Sequence, residues 1–197
     1  MKKLFLLLSV FLICSFTPTQ KDKVLFIGDS LTCYTGGWQA QVCKEMGWKF
    51  DNISVGGKRT SWMLSTLTEY LRVNHNFDKV FIYGGCNDAY SHVKLTSAVS
   101  NVQEMVDLCR TYKIEPVVII GYDPNLVQQR TPYDEKTTKF HRDRYVELQK
   151  LMSQHLTNCQ IVIKDTTVTR KDSDDGLHLK ATGHKKFAKW VVEHLKK

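Results

Sequence analysis

Val24-Leu25-Phe26-Ile27-Gly28-Asp29-Ser30-Leu31 is the stretch from which the rest of the chain is best read. Four apolar residues follow one another without alternation, and the run is short and closed by a glycine. A strand with one wet face would alternate, so this pattern predicts a strand buried on both faces. Val80-Phe81-Ile82-Tyr83, Val117-Val118-Ile119-Ile120 and Ile161-Val162-Ile163 repeat it. Trp48, Phe50, Ile53 and Val55 suggest a fifth strand, with one irregular step and more polar neighbours, as expected at a sheet edge.

Between these runs the apolar period lengthens to three or four residues. Leu64, Leu67 and Leu71 form one such series, and Leu95, Val99, Val102, Val106 and Cys109 another. Tyr145, Leu148 and Met152 follow, then Phe187, Ala188, Val191 and Leu195. Alternating strand and helix patterns predict an α/β domain, a three-layer α/β/α sandwich around a five-stranded parallel sheet. No repeat, low-complexity stretch or linker divides residues 20–197, which are expected to form a single domain. The least regular segments are 122–136 and 165–180.

Composition agrees with one packed domain. The chain has 197 residues, 42% hydrophobic and 24% charged, enough apolar material for a core. Six Cys are too few for a disulfide scaffold, and they show neither CxxC nor Cys/His zinc spacing. The formal net charge is +8, but the basic residues are scattered, so no nucleic-acid partner is expected.

Residues 1–19 read differently. Met1-Lys2-Lys3 is basic, and Leu4 to Ile13 is apolar apart from Ser9. That run is too short for a stable membrane span and matches a secretory signal peptide, so the mature protein is expected to be exported, periplasmic or secreted. Cleavage after Thr19 would remove Lys2 and Lys3 and lower the charge by two. Lipid attachment at Cys14 is disfavoured, because Ile13 stands where a small residue is normal.

The polar residues fall where the strands end. Gly28-Asp29-Ser30-Leu31 follows the first strand, Gly56-Gly57 the second, and Gly84-Gly85-Cys86-Asn87-Asp88 the third. Asp174-Asp175-Gly176-Leu177-His178 lies between the last strand and the last helix. The carboxyl edge of an open parallel sheet is where a ligand crevice forms. Ser, His, Asp, Asn and Gly gathered there are the parts of an acyl-transfer site. A serine hydroxyl needs a base to take its proton, histidine suits that exchange, and a carboxylate must hold the imidazole tautomer. The oxyanion then needs donors, which the Ser30 amide, a glycine amide and the Asn87 side chain can supply. Asp175 stands three residues before His178, a spacing that lets it reach the ring, and Asp174 could substitute for it.

Four blocks in this order resemble those of the SGNH (GDSL) hydrolases, across residues 24–190. The resemblance implies a flavodoxin-like fold and serine esterase or lipase activity without a cofactor. It implies Ser30 as nucleophile, His178 as base and Asp175 as its partner, with Ser30, Gly57 and Asn87 forming the oxyanion hole. The second block departs from the family's pattern. Gly57-Lys58-Arg59-Thr60-Ser61 fits it best, Gly56 stays open, and Lys58-Arg59 is unusually basic.

Tyr34, Trp62 and Tyr90 follow the blocks closely and are candidates to line an acyl or sugar pocket, or to pack in the core. Asp88 is expected to brace a turn near Ser30, and His184 to pack on the last helix. Gly57-Lys58 is similar to the end of a P-loop, but Asn52 occupies the position of its first glycine and Arg59 that of its Ser/Thr. No Asp-x-His stands on the first strand, so a metal-dependent phosphoesterase is disfavoured and no metal is expected. The expected function is a serine esterase acting on short-chain, chiefly acetyl, esters of carbohydrates through an acyl-enzyme. The alternatives are a lipase or thioesterase for longer chains and a non-catalytic glycan-binding module. The expected partner is a small-molecule or glycan ester.

Overall fold

A computed structural model describes residues 22–123, 133–162 and 165–196. The signal-peptide and Cys14 readings, Ile163, and most of the 122–136 loop lie outside the described residues. The strands are β1 (Lys23–Gly28), β2 (Lys49–Asn52), β3 (Lys79–Tyr83), β4 (Glu115–Ile119) and β5 (Gln160–Val162). They form one parallel sheet in the order β2-β1-β3-β4-β5. The helices are α1 (Trp38–Met46), α2 (Thr60–Val73), α3 (Cys86–Ala89), α4 (Leu95–Thr111), α5 (Glu135–His155) and α6 (Ala181–Leu195).

The apolar runs are buried as their lack of alternation requires. Val24, Leu25, Phe26 and Ile27 are fully enclosed, as are Val80 and Phe81. Phe26 stacks on Phe81 with centroids 4.8 Å apart. β2 is one of the two edge strands, and its Phe50 is 39% exposed. The irregularity read in its sequence is real. β2 ends at Asn52, yet Ile53 N still donates to Phe26 O (3.0 Å) and Val55 N to Gly28 O (3.2 Å). The segment therefore runs on alongside β1 and delivers Gly56 and Gly57 beside the turn that follows it.

α1 and α6 pack together on one face of the sheet; α2, α4 and α5 pack in sequence on the other. α1 has little apolar periodicity and was not legible as a helix. It is fixed instead by Trp38, a fully buried side chain edge-on to Phe26 (5.5 Å) and Phe187 (5.3 Å). The Trp38 indole N–H also donates to Leu31 O at 2.8 Å. Two of its other inward residues are polar or small, Gln39 and Cys43.

Strand order reverses at β1, with β2 on one side and β3 on the other. That switch point opens a crevice at the carboxyl ends of β1 and β3, where Ser30 and Asn87 emerge. Among the described residues no helix is long and apolar enough to cross a membrane.

Candidate active site

The turn after β1 is held from below. Gly28 lies so close to β3 that a Cβ there would meet Tyr83 O at 2.3 Å, so only glycine lets the two strand ends converge. The buried Asp29 carboxylate accepts from Leu31 N (2.9 Å) and from the Cys86 thiol (3.1 Å). Thr32 N and Cys33 N both donate to Asp29 O at 3.1 Å. Ser30 thus sits on a tight turn rather than capping a helix; α1 begins only at Trp38.

Opposite it, residues 173–179 fold back on themselves. Ser173 and Leu179 pair as an antiparallel bridge, and Asp174 N donates to His178 O (3.3 Å). Asp172 anchors the base of this loop, accepting from Thr169 N (2.9 Å) and from Lys186 Nζ (2.7 Å). The buried Tyr122 hydroxyl donates to Leu177 O.

The two turns meet through His178. Its Nε2 lies 2.9 Å from Ser30 Oγ, and its Nδ1 lies 2.7 Å from Asp175 Oδ2. The other carboxylate oxygen of Asp175 accepts from Leu177 N (2.9 Å) and His178 N (2.7 Å). A carboxylate only accepts, so Nδ1 carries the proton and Nε2 is left to take one from Ser30. Burial alone would raise the Asp175 pKa. The bonds from the His178 ring and from the two amides outweigh it and hold the group well below the usual carboxylate range. Asp174 points away, with its side chain 75% exposed and paired with Lys180 at 3.2 Å. The geometry therefore chooses Asp175 as the partner of His178.

Asn87 reaches toward the same crevice from the start of α3. Its Nδ2 donates to Lys58 O at 3.0 Å, which orients the amide and leaves its second N–H unspent on that bond. Asp88 is buried beneath and braces the second block. Its Oδ2 accepts from Thr60 N (2.9 Å) and its Oδ1 from Thr60 Oγ1 (2.8 Å). Gly57 has φ +75°, a conformation glycine adopts without strain, and a Cβ there would face open space. A Cβ on Gly56 would instead rest 3.7 Å from Ser30 Cβ, in ordinary contact.

Of the aromatic candidates, Tyr34 stands edge-on to His178 at 6.2 Å and is 44% exposed. Trp62 is half-buried beneath Lys58 Nζ, 5.4 Å from the ring centre. Tyr90 stacks on His141 of α5 at 4.4 Å and packs against the core. Cys33 and Tyr34 also line a cavity of about 230 Å³ with Phe50, Asn52 and Ser54; Ser30 does not line it.

Sequence reading missed three supports. Asn52 Nδ2 donates to Thr32 O (2.9 Å), Tyr122 holds the His178 loop, and His184 does more than pack. His184 Nδ1 accepts from Trp38 N (3.2 Å), the first amide of α1, and burial pushes its pKa down toward the neutral form that can accept. Each is a long-range contact without a local signature. Among the described residues no cluster of three His, Cys, Asp or Glu could hold a metal ion, and Cys33, Cys43, Cys109 and Cys159 carry free thiols.

The GDSL-like lipase/acylhydrolase family model matches residues 26–186, the span that contains every one of these groups. The chain belongs to this family. Ester hydrolysis is the class of reaction that its fold and its Ser30–His178–Asp175 geometry fit. An isoamyl acetate-hydrolyzing esterase of Saccharomyces cerevisiae is 29% identical over 134 residues. That match covers 59% of this chain and 55% of the yeast protein, so the chain spans about half the length of this relative. A catalytic mutant of an acetylxylan esterase from Geobacillus stearothermophilus superposes with TM-score 0.66 at 18% identity, over 88% of this chain and 94% of the other. The psychrotrophic esterase EstA of Pseudoalteromonas sp. gives 0.61 at 16% identity, over 89% and 97%. At these identities the structural matches establish the shared fold.

Proposed function

We propose that the protein is a serine esterase that removes acetyl and similarly short acyl groups from carbohydrate. The observation that carries this reading is the unbroken relay from Ser30 Oγ through His178 to Asp175 at 2.9 and 2.7 Å. In the proposed reaction His178 Nε2 takes the Ser30 proton as Oγ attacks the ester carbonyl. Asp175 stabilises the imidazolium that forms. The Ser30 and Gly57 amides and the Asn87 side chain receive the oxyanion. His178 returns the proton to the departing alcohol, leaving acetyl on Ser30. Water, activated by the same imidazole, then releases acetate.

Short acyl groups are supported by the names of two similar proteins, the isoamyl acetate-hydrolyzing esterase and the acetylxylan esterase. They are also supported by the short loops that carry Ser30, Gly57 and Asn87. A lipase needs a long apolar trough, since burial is worth about 0.8 kcal/mol per CH₂. Carbohydrate as the alcohol part of the ester rests on the expected export and on the acetylxylan esterase likeness.

A series of p-nitrophenyl esters from acetyl to octanoyl, with wild type beside Ser30→Ala, tests the proposal. Acetyl and propionyl esters should give the highest kcat/KM, with steric loss by about four to six carbons. A rate that climbs steadily to octanoyl would overturn the short-chain reading in favour of a lipase or thioesterase. Equal rates for wild type and Ser30→Ala would overturn the mechanism. Carbohydrate binding without turnover in either protein would leave a glycan-binding module.

A further inference from the structure

Lys58 and Arg59 immediately follow Gly57, at the rim of the crevice, and the mechanism uses neither side chain. Gly56 packs on Ser30 with 3.7 Å between the Ser30 Cβ and the position a Cβ would take. Lys58 is two residues further on, within about 7 Å of Gly56 along the chain. Its backbone carbonyl accepts from Asn87 Nδ2, which ties this stretch of backbone to the crevice.

Its charge is held there but not neutralised. The ammonium lies over the Trp62 ring at 5.4 Å, an arrangement that restrains the side chain and leaves its charge intact. Among the described residues no carboxylate lies within ion-pairing distance of Lys58 or Arg59. The acids nearby are all engaged. Asp88 spends both oxygens on Thr60, although Arg59 still lowers its pKa as a minor influence against burial. Asp29 is buried under the turn, Asp175 is bound to His178, and Asp174 pairs with Lys180.

We propose that this rim recognises a carboxylate on the acylated sugar, so that the preferred substrate is an ester of a uronic acid rather than of a neutral sugar. The inference rests on the carbohydrate esterase reading above and narrows it. With its ammonium over the Trp62 ring and no carboxylate paired to it, Lys58 offers a positive charge that a carboxylate on the sugar would satisfy. A neutral sugar would leave both cations without a partner.

Two probes differing only in charge test this: a methyl galactopyranosiduronate and a methyl galactopyranoside, each acetylated at the same hydroxyl. Wild type should favour the uronate in kcat/KM by about threefold to thirtyfold at low salt, the range that two solvent-facing ion pairs can supply. The ratio should shrink as salt shortens the Debye length. In the Lys58→Met, Arg59→Gln double variant it should fall toward one. A wild-type ratio near one would overturn the proposal. So would an equal loss on both probes in the variant, which would mean that the cations assist the oxyanion of any ester. Equilibrium binding of both probes to Ser30→Ala reads the preference without turnover. Uronate preference in binding with no hydrolysis by wild type would overturn the esterase reading and support the carboxylate site. Hydrolysis by wild type with equal binding would do the reverse.

Discussion

Asp29 and Asp175 each stand within three residues of a residue in the relay, and the two loops treat the same side chain in opposite ways. Asp175 is part-exposed and receives three N–H groups, one from His178's ring and two from the backbone, which hold its pKa well below the usual range. Asp29 is fully buried. Burial raises its pKa to about 6 against the bonds from Leu31 N and the Cys86 thiol. The loop after β1 is therefore a brace under Ser30, and Asp29 can hold a proton there. In the proposed mechanism the loop before α6 is the charged end of the relay, and Asp175 must stay ionised.

The largest effects should come from the relay itself. Ser30→Ala and His178→Ala should each lower kcat by about 10³-fold or more, and the double variant should be little worse, because the two act as a unit. Asp175→Asn should cost about 10³–10⁴-fold by removing the imidazolium's counter-charge and upsetting the tautomer. Asp174→Asn, on an exposed side chain, should change kcat by no more than about twofold. Steady-state kinetics on p-nitrophenyl acetate read all five. A severe Asp174 variant beside a mild Asp175 variant would break the assignment.

Asn87→Ala comes next, with kcat about 10²–10³-fold lower and a smaller change in KM, as expected of a donor that acts in the transition state. Circular dichroism should show the fold retained. A defect confined to KM would make Asn87 a substrate-binding residue, and the Lys58 carbonyl contact would then be its main orienting bond.

Much of this was legible because it is local. Uninterrupted β-branched and aromatic runs, short and closed by glycine or a charged residue, read as strands buried on both faces, and the polar blocks after them follow from the chain's own order. What remained hidden depends on distant partners. Trp38 anchors α1 through Phe26 and Phe187, although Gln39 and Cys43 spoil the apolar face that would announce a helix. Tyr122 reaches Leu177, and Asn52 reaches Thr32, across separations that carry no period. The choice between Asp174 and Asp175 turned on which way a loop folds, and adjacent identical residues cannot reveal that.

The smallest effect bears on stability. Asp29 has a raised folded pKa, so the native state binds its proton more tightly than the unfolded chain does. Its contribution is favourable at low pH and is lost as pH rises from about 4 through about 6. Asp175 runs the other way, contributing above the unfolded carboxylate pKa and losing that contribution as pH falls through its depressed folded value. Asp29→Asn cannot ionise. Relative to wild type it should therefore gain about 2 kcal/mol between pH 4.5 and pH 7.5, read from urea midpoints. A difference that stays constant across that range would mean Asp29 is not strained by burial.

The central claim is that Ser30 forms the covalent acyl-enzyme, and trapping it is the most direct measurement. A reactive alkyl phosphonate should modify wild type once, with peptide mass spectrometry placing the adduct on Ser30. The same reagent should leave Ser30→Ala unmodified and should react far more slowly with His178→Ala, whose serine has lost its base. An adduct on another residue, or full esterase activity in a protein whose Ser30 carries the phosphonate, would contradict the account.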